Sequence, residues 1–128
     1  MTYGFSKTID IPFAAAVDKV TAELQREGFG VLTTIDVKET LKKKLNVDFK
    51  QYKILGACNP PFAHAALCAE EEIGLLLPCN VIVYEKESKS TVAVFDPMSL
   101  AKLIDNAEVG RIAAEVRQRL ERVIAAVE

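Results

Sequence analysis

The chain predicts an α+β domain: an antiparallel or mixed sheet of about five to six strands, with a long helix in the N-terminal half and a long C-terminal helix packed on one face. Two observations carry that expectation. Phe13, Val17, Val20 and Leu24, and later Val109, Ile112, Val116, Leu120, Val123 and Val127, recur at helical spacing as single apolar stripes, and a helix with one apolar stripe must lay it on another element. Between them lie short β-branched segments joined both by polar turns and by helical connections, a pattern that a purely parallel sheet does not produce.

Taken in order, Tyr3–Ile9 alternates loosely and suits a first strand. Ile11-Pro12 opens the first helix, since proline at the first helical position has no amide to leave unpaired, and Gly28 supplies the left-handed residue that ends it. Gly30–Val37 is short and β-branched, a strand by propensity. Val37, Leu41 and Leu45 are spaced by four around Lys42, Lys43 and Lys44, which describes a short amphipathic helix showing its lysines to water. Phe49–Ala57 reads as the next strand. Asn59 followed by Pro60-Pro61 predicts a helix start with asparagine as the capping residue and proline at N1, the helix running to about Glu71. Leu75–Glu85 reads as a long apolar strand interrupted and bent at Pro78, because proline cannot donate to a ladder. The polar turn Glu87-Ser88-Lys89-Ser90 predicts that Asn80–Lys86 and Thr91–Phe95 pair as an antiparallel hairpin. Asp96-Pro97 stops that hairpin, Met98–Ile104 forms a turn or two of helix, and the terminal helix follows from Asn106 with Glu115–Arg119 and Arg117–Glu121 as charge pairs on its wet side.

The 128 residues, half of them apolar, are enough for one core and carry no low-complexity segment, repeat or linker, so a single domain over residues 1–128 is expected. A net charge of −2 with both signs interspersed offers no long-range attraction to phosphate backbones or anionic lipid, which argues against nucleic acid and membrane partners. The start MTYGFSKTIDIPF has neither the basic opening nor the apolar run of a secretory signal, and no stretch approaches the ~20 apolar residues of a membrane span; the expectation is a cytoplasmic protein. An odd number of cysteines in such a chain reads as thiols rather than as a disulfide framework.

Unusual chemistry is concentrated in Gly56–Tyr84, GACNPPFAHAALCAEEEIGLLLPCNVIVY, which holds all 3 cysteines and the single histidine. Cys58, His64, Cys68 and Cys79 form on paper a Cys₃His metal set, but the spacing lacks the closely paired ligands of a zinc knuckle, so no metal or other cofactor is expected, and buried structural thiols with a surface histidine are the simpler reading. A thiol-redox role would rest on Cys58 and Cys79, one at the end of a strand and one at the start of another, with Cys58 beside a helix N-terminus that would favour its thiolate. Against it, the chain offers no Cys-x-x-Cys pair and no base fixed beside a nucleophile. Glu70-Glu71-Glu72 and Lys42-Lys43-Lys44 read as solvated runs, the latter without a glycine-rich loop to cradle a nucleotide.

The run GACNPPFAHAAL, followed by EIGLLLPCNVIVYE and then VFDPMSLAKL, resembles the bacterial and archaeal domain-of-unknown-function family 302 over essentially the whole chain. Its marks are the Asn59-Pro60 helix start, the Leu77-Pro78 strand entry and the Asp96-Pro97 turn before Met98. The resemblance implies a small α+β fold likened to the TATA-binding-protein or helix-grip type, and homodimerisation; it implies no reaction. Cys79 matches a Leu-Pro-Cys-Asn variant found in part of the family, whereas His64 and Cys68 fall outside its motifs.

Two functional readings follow. The first is a non-catalytic, homodimeric binding or interaction module, with a ligand site for an unidentified small molecule framed by Cys58, Asn59 and Pro60 at the helix start and by Cys79 and Asn80 at the strand entry. There the free amides of a first helical turn and an interrupted strand would bring hydrogen-bonding capacity together, favouring an anionic or carbonyl-bearing molecule. The alternative is a thiol-based redox or metal-handling protein using Cys58 and Cys79 with His64 and Cys68. Val81 and Val83 on one face of a strand and Ile82 and Tyr84 on the other leave both faces of the sheet apolar, and a second copy of the chain is the simplest cover for the outer one.

Overall fold

The structure is a computed structural model that describes residues 1–128. Its strands are β1 (Gly4–Ile9), β2 (Gly30–Asp36), β3 (Tyr52–Cys58), β4 (Cys79–Lys86) and β5 (Lys89–Phe95). Its helices are α1 (Phe13–Arg26), α2 (Val37–Leu45), α3 (Pro60–Ala69), α4 (Met98–Leu103) and α5 (Ala107–Ala126), with a 3₁₀ helix at Glu71–Leu76. The strands form one sheet in the order β1-β5-β4-β3-β2, and every neighbouring pair is antiparallel. The expectation of an antiparallel or mixed sheet thus resolves to a wholly antiparallel one of five strands.

Register assigns each side chain to a face. Leu55 opposes Val81, which opposes Val94, and Val83 opposes Val92; all five are buried. They meet Ala16, Val20 and Leu24 of α1 and Val116, Leu120 and Val123 of α5 in the main core. Both apolar stripes read from the sequence therefore land on the same face of the sheet. Burying a Leu or Val side chain of this kind stabilises by about 1.5–3 kcal/mol. Gly28, at φ 87°, ends α1 in the left-handed conformation that glycine adopts without a Cβ penalty. The charge pairs expected on α5 are present, Arg119–Glu115 at 3.5 Å and Arg117–Glu121 at 2.8 Å.

Several boundaries differ from the sequence reading: β3 begins at Tyr52 rather than Phe49, and Lys89 and Ser90, read as turn, belong to β5. Pro12 is the residue before α1 rather than its first. The helix expected to reach Glu71 stops at Ala69, and the apolar run expected to begin a strand at Leu75 belongs instead to the 3₁₀ helix, the ladder starting only at Cys79 beyond a cis Leu77–Pro78 peptide. The reason is a second, smaller core: Ile73 is buried with Ala66, Leu100 and Val109, and Leu77 and Ile112 pack against them. The run is apolar because it plugs the space between α3, α4 and the first turns of α5, not because it lies in the sheet.

No helix is long and apolar enough to cross a membrane.

Candidate functional site

Between those two cores lies a cavity of about 330 Å³, walled by the ends of β3 and β4, by α3, by the 3₁₀ helix and by the first half of α5. Of its 20 lining residues 16 are hydrophobic, and none is charged. Cys58, Asn59, Pro78 and Cys79 all stand in this wall. The two chain segments singled out from the sequence are therefore brought together. Ala57 pairs directly with Cys79 across the β3–β4 ladder, and that register sets the ends of the two strands side by side.

Asn59 occupies the N-cap position of α3, but its side chain does not cap. An N-cap side chain needs an N–H at N2 or N3 to bond, and Pro60 and Pro61 fill N1 and N2, so the N2 donor is missing. The buried amide turns away and donates from Nδ2 to the Glu27 carbonyl at 3.2 Å, where Arg119 Nη1 also donates at 3.2 Å. The Arg119 guanidinium in turn lies 5.1 Å over the ring of Phe62, which lines the cavity. Asn59 thus ties the start of α3 to the end of α1. With Pro60 and Pro61 removing two of the four orphan donors, this helix start supplies less of the anion-binding capacity expected of it.

The remaining expected site residues separate. Pro60 is exposed and lies outside the cavity wall. Asn80 is exposed on the opposite face of the sheet, where it shares a groove of about 730 Å³ with Tyr3, Tyr52, Ile82, Tyr84 and Lys50. Tyr52 and Tyr84 stack there, centroids 5.4 Å apart and planes 11° from parallel. Leu77 and Pro78 line both the groove and the cavity and so form the partition between them.

The three cysteines are free thiols. Burial, with a smaller push from the neighbouring Cys58, raises the Cys79 thiol to about 11, so at neutral pH Cys79 is a protonated, apolar group rather than a nucleophile. His64 and Cys68 are exposed one turn apart on α3, Nε2 and Sγ 3.5 Å from each other, so Cys68 is not the buried thiol expected: it stands on the side of α3 opposite the buried Ala66. They do not join Cys58 and Cys79, and the fold gathers no group of three or more His, Cys, Asp or Glu side chains able to hold a metal ion.

The family model for the domain of unknown function DUF302 matches residues 5–127. The chain belongs to the DUF302 family. Among solved structures it is similar to the crystal structure of an uncharacterized conserved DUF302 protein from Bacillus stearothermophilus, at 26% identity and a TM-score of 0.92, with 100% of each chain covered. A search of curated proteins matched none. The family carries no assigned function, so chemical inference for this DUF302 domain rests on its own geometry.

Sequence reasoning missed the far wall of the cavity. Val109, Ile112, Ala113 and Val116 of α5 line it with Leu100 of α4, although the whole α5 stripe reads as sheet-facing. No local signal marks the split: Ala113, buried on the apolar side of α5, is a small residue that would suit close packing as well as a cavity wall.

Proposed function

We propose that this DUF302 domain is a non-catalytic binding module that takes a small, apolar molecule into the cavity between α3, α5 and the β3–β4 ends. The observation that carries this reading is a cavity wall without a single charged side chain, in which Asn59 is the one strongly polar residue. Ligand sites typically occupy roughly 300–1,000 Å³, are mostly apolar, and hold a few polar groups for orientation; the cavity's volume of about 330 Å³ suits a molecule at the small end of that range. General acid–base or nucleophilic catalysis needs a titratable group poised near neutral pH within reach of the substrate. Cys79, held up to about 11, does not supply one, and no His, Asp, Glu or Lys stands in the wall to activate Cys58.

The test is fluorescence enhancement of an uncharged apolar probe, N-phenyl-1-naphthylamine, on wild-type protein and on Ala113→Leu, which puts three more carbons into the cavity. Saturable enhancement in the wild type and its loss in a folded Ala113→Leu variant are expected. Enhancement that is unchanged in Ala113→Leu would place the probe elsewhere and remove the support for this reading. Native mass spectrometry of protein purified without a metal-affinity step would report any retained molecule directly.

The same reading includes a homodimer joined across the groove on the outer sheet face. Supporting it, Ile35 and Tyr3 are 48% and 64% exposed there, and Leu75 at its rim is 83% exposed, an apolar surface of the kind that monomers seldom leave open.

A further inference from the structure

His64 is the only histidine in the chain, and α3 places it one turn before Cys68 on a face that α5 and the sheet leave free: His64, Ala65 and Cys68 are all exposed, while Ala66 on the other side is buried. Neither residue lines the apolar cavity. Their donor atoms, Nε2 and Sγ, stand 3.5 Å apart. For a tetrahedral zinc ion with Zn–N of about 2.05 Å and Zn–S of about 2.3 Å, two ligands subtending about 109° at the metal are separated by about 3.6 Å. A linear two-coordinate ion with the same bond lengths would need about 4.3 Å. The two side chains share a hydrogen bond, and its 3.5 Å separation is close to that of a tetrahedral edge, so the pair is already held at the spacing a metal ion would need.

We propose that His64 Nε2 and Cys68 Sγ form an open two-ligand clip for a borderline-soft divalent cation such as zinc. The pairing of an imidazole with a thiolate suits such an ion better than magnesium or calcium, which take oxygen ligands. Binding forms one metal–nitrogen and one metal–sulfur bond, and as the six-coordinate hydrated cation becomes tetrahedral about four of its waters leave and about two stay. The Cys68 thiol gives its proton to solvent, so one proton is released per cation bound. Because both side chains face water, the ion keeps its remaining coordination positions for water or an incoming ligand, as open zinc sites do. This clip is separate from the four-ligand set weighed in the sequence, since Cys58 and Cys79 belong to the cavity wall. It is likewise independent of the proposed apolar ligand.

Cobalt(II) chloride is the probe, because cobalt takes the same tetrahedral ligands and a thiolate–cobalt bond gives a near-ultraviolet charge-transfer band. The expected result is a saturable band in wild-type protein, displaced by added zinc. It should be absent in Cys68→Ser, strongly reduced in His64→Ala and retained in Cys58→Ala. Both clip residues are exposed, so their variants should keep the wild-type circular dichroism and unfolding midpoint. No band in the wild type at millimolar cobalt, or a band that survives Cys68→Ser or disappears with Cys58→Ala, overturns the assignment.

Discussion

Single residues in this protein are best read by asking where each polar group finds its partner. Asn59 donates to the Glu27 carbonyl from a buried position, so Asn59→Ala should cost about 1 kcal/mol, the Arg119 bond to the same carbonyl limiting the damage. Asn80 is exposed, and Asn80→Ala should change stability by less than about 0.5 kcal/mol. Urea titrations of the two variants side by side check both, and equal losses would show that burial is not what separates them. Cys79 adds a pH dependence. Its folded value, about 11, lies above the ordinary 9.0, so the unfolded chain loses this proton first. The stability it contributes is complete below pH 9 and falls away between pH 9 and about 11. Tyr52, also raised by burial, acts in the same direction. Replacing Cys79 by Ala should flatten the alkaline slope of the wild type, and an unchanged slope would mean that the thiol is not the group responsible. Much of this was visible in the sequence as residue type and little of it as role. Pro61 at N2 already forbids one of the two bonds an Asn59 cap could make, yet the tether to Glu27 depends on a partner 32 positions away in the chain, which no local pattern encodes.

Elements were legible where their apolar period was long enough to be unambiguous. α1 and α5 follow from their stripes, and β4 and β5 from the polar turn between them, because a helical or alternating pattern sustained over several residues has one geometric solution. The Glu71–Leu76 segment has none: a short apolar run serves a buried strand or a helical plug equally well, and only packing of Ile73 against Ala66, Leu100 and Val109 decides. The splitting of the α5 stripe between sheet and cavity is hidden for the same reason. Asp96-Pro97, read as a simple turn, proves to be a junction of three elements. Asp96 Oδ1 accepts from the Met98 N–H at 2.9 Å at the start of α4, while Oδ2 pairs with Arg117 of α5. Its side chain is only 13% exposed. Asp96→Ala should therefore cost about 1–3 kcal/mol, more than an exposed ion pair would, because a mostly buried acceptor of two donors is removed. In a double-mutant cycle with Arg117→Gln, coupling near zero would show that the charge pair adds nothing beyond the turn.

At the scale of the whole molecule, one face of the sheet is buried under α1 and α5 and the other is not. The outer face runs through Ser6, Ala93, Ile82, Ile54 and Ile35 in one cross-strand row. Tyr52 and Tyr84 stand at one end, with Lys50 4.7 Å over the Tyr84 ring. At the other end stand Leu75 and Leu76 of the 3₁₀ helix, which Glu71 and Glu72 begin. Two copies laid face to face about a twofold axis near Ile82 would cover the apolar row of each. A self-complementary patch of this kind is what an isologous dimer requires. The homodimer so proposed makes a definite claim about mass: sedimentation equilibrium at micromolar concentration should give a species of twice the 14.1 kDa chain, and Ile82→Lys should return it to the single-chain mass with its circular dichroism unchanged, because Ile82 points away from the core of α1 and α5. Rising salt should leave the pair largely intact, because the surface it covers is an apolar row. A wild-type protein that sediments only as a 14.1 kDa species leaves the outer face without the partner its composition calls for, and the dimer is then wrong; a dimer that survives Ile82→Lys places the interface elsewhere, with the edge strands β1 and β2 as the surfaces to test next.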